Sequence, residues 1–98
     1  MNMREVYPGV LAGVFDQGKE GVYVPVVISK QPGCGNVGRF IEHLLGEHKV
    51  VKFPNVINPQ LQQMLMRRGF KLTYEYAEVY GEYVDVWVRE VEEVLRDE

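Results

Sequence analysis

Eight residues, Val22 to Ser29 (VYVPVVIS), make a nearly continuous apolar run that leads straight into the glycine-rich segment Lys30 to Gly35 (KQPGCG). An apolar run of that length, bounded by turn residues, reads as a strand buried on both faces. Behind the loop, Val37, Phe40, Ile41, Leu44 and Leu45 recur at i, i+3, i+4, i+7 and i+8, the spacing of a one-faced amphipathic helix. Strand, glycine loop and helix in succession constrain the chain to a mixed α/β sheet with a helical crossover. Pro25 stands in the middle of the strand and has no N–H for a ladder, so a bulge or a one-sided gap is expected there.

The rest of the chain fits around this unit. Tyr7-Pro8-Gly9 reads as a turn, Val10 to Phe15 as a short strand, and Asp16 to Gly21 as a hairpin loop. Asn36 is the expected cap of the first helix and Gly46 its expected stop. Lys49 to Phe53 forms a second short strand ended by Pro54. Asn58-Pro59 starts the next helix, with Leu61, Met64 and Leu65 as its buried stripe. Arg67 and Arg68 complement its carbonyl end and Gly69 closes it. A long hairpin follows, turning near Val79 to Glu82. Leu72, Tyr74, Tyr76 and Tyr80 fall on one face, and Val84, Val86 and Val88 repeat at period two. Val91, Val94 and Leu95 could add a short terminal helix. The predicted order is β-β-α-β-α-β-β in a single domain spanning residues 1–98, an α/β (α+β) fold without repeats.

Composition narrows the function classes. Ninety-eight residues leave room for one core, and 46% hydrophobic with 26% charged residues is a folding composition. A net charge of −3 speaks against a basic nucleic-acid-binding surface. No apolar run reaches the roughly 18 residues of a membrane span, and Arg4 and Glu5 are not backed by the apolar stretch of a signal peptide. The single cysteine, Cys34, excludes an intramolecular disulfide and cysteine-pair zinc sites, so a reducing, cytoplasmic compartment is expected.

Gly33-Cys34-Gly35-Asn36-Val37-Gly38 is a literal GxGxxG between strand and helix. Glycines let the backbone approach a pyrophosphate, and amides at a helix N-terminus attract negative charge. A dinucleotide site would also need an acidic residue at the end of the next strand to hold a ribose, but Phe53, Pro54 and Asn55 stand there. A structural turn and a pyrophosphate site of another kind remain. Cys34 lacks a paired histidine signature, and His43 and His48 lack a third metal ligand at recognisable spacing, so no metal is expected. Tyr74, Tyr76, Tyr80, Tyr83 and Trp87 concentrate the aromatics in the last hairpin, divided between core and a self-association surface. Glu90, Glu92, Glu93, Asp97 and Glu98 read as a solvated acidic end.

The sequence of elements resembles the C-terminal two-thirds of the GNAT superfamily of N-acetyltransferases. That superfamily binds the acyl-CoA pyrophosphate on an Arg/Gln-x-x-Gly-x-Gly/Ala loop after a bulged central strand, here Lys30-x-x-Gly33-x-Gly35. Its next helix carries Asn-x-x-Ala-x-x-x-Tyr-x-x-x-Gly-Phe, matched by Asn58 and by Gly69-Phe70. The resemblance covers about Val10 to Arg89 and implies splayed central strands that admit the pantetheine arm. It implies acetyl-CoA or CoA as cofactor, bound by Gly33, Cys34, Gly35, Asn36, Val37, Gly38, Arg39 and Asn58, with an amine as acceptor. The departures are specific. Leu65 replaces the tyrosine that often protonates the leaving thiolate, Glu20 is the nearest carboxylate before the central strand, and the superfamily's first strand and two helices have no counterpart. The catalytic residues are therefore unassigned, with Tyr74 or Tyr76 as substitutes that could reach the cleft. The other reading is an inactive copy of the fold acting as a homo-oligomeric assembly protein through the C-terminal hairpin, in a cell or associated with a virion. Neither nucleic acid nor membrane is expected as a partner.

Overall fold

The computed structural model describes residues 3–91, which form six strands and two helices. The strands are β1 (Arg4–Tyr7), β2 (Val10–Asp16), β3 (Val22–Ser29), β4 (Val50–Pro54), β5 (Lys71–Ala77) and β6 (Glu82–Glu90). The helices are α1 (Asn36–Glu47), between β3 and β4, and α2 (Pro59–Arg67), between β4 and β5. All six strands share one mixed sheet in the order β1-β2-β3-β4-β6-β5. Its one parallel pair is β3 with β4, and the other neighbours run antiparallel.

The α+β class and the order of elements from Val10 onward agree with the sequence reading. Strand β1 was not expected; its first two residues are exposed, Val6 and Tyr7 pack against the main core, and it pairs only with β2. The residues Val94 and Leu95, read as a terminal helix, lie outside the described residues.

Helix α1 buries Phe40, Ile41 and Leu44, as their spacing required. They join Val22, Val24, Val51, Phe53, Leu65, Phe70 and Trp87 in the main core. A smaller cluster holds Tyr23, Ala77, Val84 and Val86, flanked by Phe15, Tyr80 and Val88. Asn58 caps α2 as expected, its Oδ1 accepting the amides of Gln60 at 2.8 Å and Leu61 at 3.1 Å. At the other end, the Phe70 amide returns to the Leu65 carbonyl at 3.0 Å past Gly69.

Two helix limits differ from expectation. Gly46 lies inside the last turn of α1, which continues to Glu47. Asn36 does not cap α1; Gly35 does, in the left-handed region at φ 78°. The buried Asn36 side chain turns away instead and donates to the carbonyl of Gly9 at 3.3 Å.

Candidate functional site

Strands β3 and β4 pair at only two positions, Val22 with Val51 and Tyr23 with Lys52. Continuing that register would set Pro25 against Pro54. Neither residue has an N–H, so whichever of the two turns its backbone toward the other strand has no donor to give, and the strands part there. On its other side β3 absorbs Pro25 in a bulge: Gly13 pairs with Val26 and Phe15 with Tyr23, leaving two β3 residues opposite Val14. The expected irregularity is present, and Pro54, read as a strand end, lies within β4 as the second half of the same device.

The parting strands open a cleft of about 350 Å³. Val27, Ile28 and Ser29 of β3 form one wall, and Gly33, Gly35, Asn36 and Val37 form the mouth. Asn58, Gln60, Leu61 and Met64 close it from α2. Five of the eight residues expected to bind a cofactor thus meet here: Gly33, Gly35, Asn36, Val37 and Asn58. Cys34, Gly38 and Arg39 are not among the lining residues. Cys34 is exposed on the loop, with its Sγ 3.9 Å from Gln31 Oε1. Gly38 is buried in the first turn of α1, where a Cβ would approach Nη2 of Arg68 to 2.7 Å. Arg39 closes the loop from outside, its guanidinium donating to the Cys34 carbonyl at 3.0 Å and to Asn36 Oδ1 at 3.4 Å.

The mouth is held open by backbone rather than by side-chain charge. No side chain caps α1, and the first amides of a helix have no intrahelical acceptor. They carry the positive end of the helix dipole, a general anion-binding geometry. Lys30 is drawn the other way, to Glu5 Oε1 at 3.0 Å. Glu5 also accepts the Gly9 amide at 2.9 Å. These two bonds, the Gly9 amide first and then Lys30, hold its carboxyl below the ordinary glutamate range.

Gly9 is the residue that sequence reasoning undervalued. Its carbonyl accepts from the Lys30 amide at 2.8 Å as well as from Asn36, so the first turn of the chain anchors both ends of the glycine loop. A Cβ at Gly9 would lie 2.1 Å from Asn36 Nδ2, and its φ of 81° already requires glycine. The Tyr7-Pro8-Gly9 turn was visible in the sequence; its contact with Asn36 was not.

The acid–base expectations are corrected. Leu65 is fully buried in the main core and does not line this cleft. Tyr74 and Tyr76 lie on β5, which β6 separates from β4, and neither lines the cleft. The cleft lining contains no carboxylate, imidazole, amine or phenol. Among the described residues no group of three or more His, Cys, Asp or Glu side chains is placed to hold a metal, and no helix is long and apolar enough to cross a membrane.

Of the hairpin aromatics, Trp87 is core, Tyr80 is half-buried, and Tyr74, Tyr76 and Tyr83 are exposed. Tyr83 stacks on Tyr74 at 5.6 Å between ring centroids and meets Tyr76 edge-on at 5.4 Å. No family model, curated protein or solved structure matches the chain.

Proposed function

We propose that the cleft binds the diphosphate and pantetheine of an acyl-CoA, and that the protein is a short member of the GNAT superfamily of N-acetyltransferases. The observation that carries this reading is the coincidence of three features at one place: a parallel strand pair parted by facing prolines, a helix N-terminus without a side-chain cap at its open end, and a cleft between them. Amides of the first turn of α1, with Gly33 and Gly35, would hold the diphosphate. Val27, Val37, Leu61 and Met64 offer an apolar wall to the pantetheine arm. The splay, the loop and the Asn58-capped helix follow one another in the order that superfamily uses.

The cleft's neutral lining argues for tight positioning and weak chemistry. Acetyl transfer here would be direct: the acceptor amine nitrogen bonds to the thioester carbonyl carbon, the C–S bond breaks, and CoA leaves as a thiolate. The proton lost by the amine would pass to solvent. A missing general acid typically costs on the order of 10²–10⁴ in rate. Calorimetric titration with acetyl-CoA tests the reading. Wild type should bind, and Met64→Trp, which fills the cleft from half-buried Met64, should lose at least about tenfold in affinity, or about 1.4 kcal/mol. Absence of wild-type binding at about 1 mM ligand, or equal binding by both proteins, contradicts it.

A second reading has its own observation. Among the described residues strand β5 is an unpaired sheet edge, and its helix-side face exposes Leu72, Tyr74 and Tyr76. A second copy is the occupant this edge fits: antiparallel pairing of two β5 strands about Thr73 would set Lys71 of each against Glu75 of the other and Leu72 against Tyr74. Sedimentation of wild type beside Tyr74→Lys tests it; two monomeric proteins would exclude it.

A further inference from the structure

Two banks of the cleft are carried by separate helices, Val37 on the first turn of α1 and Leu61 and Met64 on α2. The spacing of the helices sets the width between those banks, and the side chain of Arg68, the residue after α2, bridges them. We infer that Arg68 is a positioning residue of the cleft. Its guanidinium clasps α2 to α1 at a fixed spacing, and Gly38 carries no side chain so that the guanidinium can lie there. The assignment rests on the acyl-CoA reading only for the ligand that feels this spacing.

The bonds of the guanidinium give the bridge. Arg68 Nε donates to Glu42 Oε2 of α1 at 2.9 Å, and Nη1 donates to the Met64 carbonyl of α2 at 3.2 Å. One planar group thus holds an acceptor on each helix, and Met64 is itself a wall residue of the cleft. The rigid fork of an arginine fixes both directions at once, which a lysine ammonium on its flexible stem does not. The backbone of Arg68 is held as well. Its N–H returns to the Leu65 carbonyl at 3.0 Å, and its carbonyl accepts from Arg89 Nη1 of β6. The bridge between the helices is therefore anchored to the sheet.

Gly38 supplies an independent observation from the other side of the bridge. It is buried in α1, one turn before Glu42 on the same helix face. Its φ is not positive, so the backbone does not require glycine, and glycine is a poor helix former. What requires it is space. A Cβ there would come within 2.7 Å of Arg68 Nη2, and moving the guanidinium aside would strain its bonds to Glu42 and Met64. The last glycine of the GxGxxG pattern, read from the sequence as room for a pyrophosphate, is room for an arginine. Glu42 is well exposed, so the ion pair itself contributes little to stability. Its consequence is geometric.

Two measurements on the full chain test the clasp. The first needs no ligand: urea unfolding of wild type, Gly38→Ala, Arg68→Ala and the double variant, taken as a cycle. Gly38→Ala should raise the midpoint in the Arg68→Ala background, where a better helix former meets no guanidinium. It should fall short of that gain in the wild-type background. Equal shifts in the two backgrounds overturn the seat assigned to Arg68. The second is calorimetric titration with acetyl-CoA, on variants whose amide spectra show them folded. Arg68→Ala should lose about tenfold in affinity, Arg68→Lys should recover less than about threefold of that loss, and Glu42→Gln should lose about threefold. Wild-type affinity in Arg68→Ala, or full rescue by Arg68→Lys, overturns the positioning role. Absence of wild-type binding at about 1 mM removes the acyl-CoA reading instead, and the unfolding cycle then decides the clasp alone.

Discussion

The two ends of β3 are built from the same apolar sequence, VYVPVVIS, and behave oppositely. At its start, Val22 and Tyr23 are locked to β4 and buried. At its end, Ile28 is exposed and Val27 and Ser29 line a cleft. Hydrophobicity does not distinguish the halves; a proline in each of two neighbouring strands does. Backbone hydrogen-bonding capacity, more than side-chain character, decides where this sheet closes and where it opens.

Helix α2 serves both regions and separates them by one residue, which gives the largest expected effect. Leu65→Ala should destabilise the protein by about 2–5 kcal/mol, because it empties a fully buried core position. Met64→Ala, at the half-buried cleft wall, should cost under about 2 kcal/mol. Urea unfolding of the two variants checks this, and equal losses would mean that the cleft wall is core. Leu65→Tyr should likewise destabilise rather than supply an acid, by overpacking the same position.

Next in size is the anchor of the loop. Gly9→Val combines a disfavoured φ with a clash against Asn36 and should cost about 1–3 kcal/mol while loosening the glycine loop. Amide exchange would then rise at Lys30, whose N–H bonds to the Gly9 carbonyl. Unchanged exchange there would show that the loop holds itself.

The sharpest test of the comparison restores the missing donors. Pro25→Val/Pro54→Val should let the parallel ladder extend past Tyr23 and Lys52, giving slow amide exchange at the new valine whose N–H faces the partner strand. It should reduce acetyl-CoA affinity by about tenfold or more as the cleft narrows. Retained affinity with that valine fully protected would separate the cleft from the splay.

The smallest effect is electrostatic. The folded-state pKa of Glu5 lies below its unfolded value, so its contribution to stability is present above about pH 4.5 and is lost as pH falls through the lowered value. Glu5→Gln should flatten the acid limb of a stability-against-pH profile over that window. An unchanged limb would remove Glu5 from the account of the loop's anchor.

Much of this was legible beforehand because it depends on local pattern. The helix faces follow from Phe40, Ile41 and Leu44 recurring with helical period, and the α2 cap from Asn58-Pro59. The gap after Tyr23 was visible as Pro25, but only the register reveals Pro54 as its counterpart. Contacts between distant segments left no such mark. Nothing in Gly9 announces Asn36. The exchange of roles between Gly35 and Asn36 has the same origin: an asparagine before a helix reads as a cap until a carbonyl from a distant turn claims its side chain. The exposed aromatics were seen as a cluster, and only the position of β5 at the sheet edge divides Tyr74 and Tyr76 from the core.

The central claim is that the open end of β3 is an acyl-CoA site built from backbone amides. An amide-resolved NMR titration with acetyl-CoA addresses it most directly. The account predicts saturable shifts at Gly33, Gly35, Val37 and Gly38 with smaller ones at Leu61 and Met64, and none at Val22 or Val51. Shifts confined to the β5–β6 hairpin, or none up to about 1 mM ligand, would contradict it.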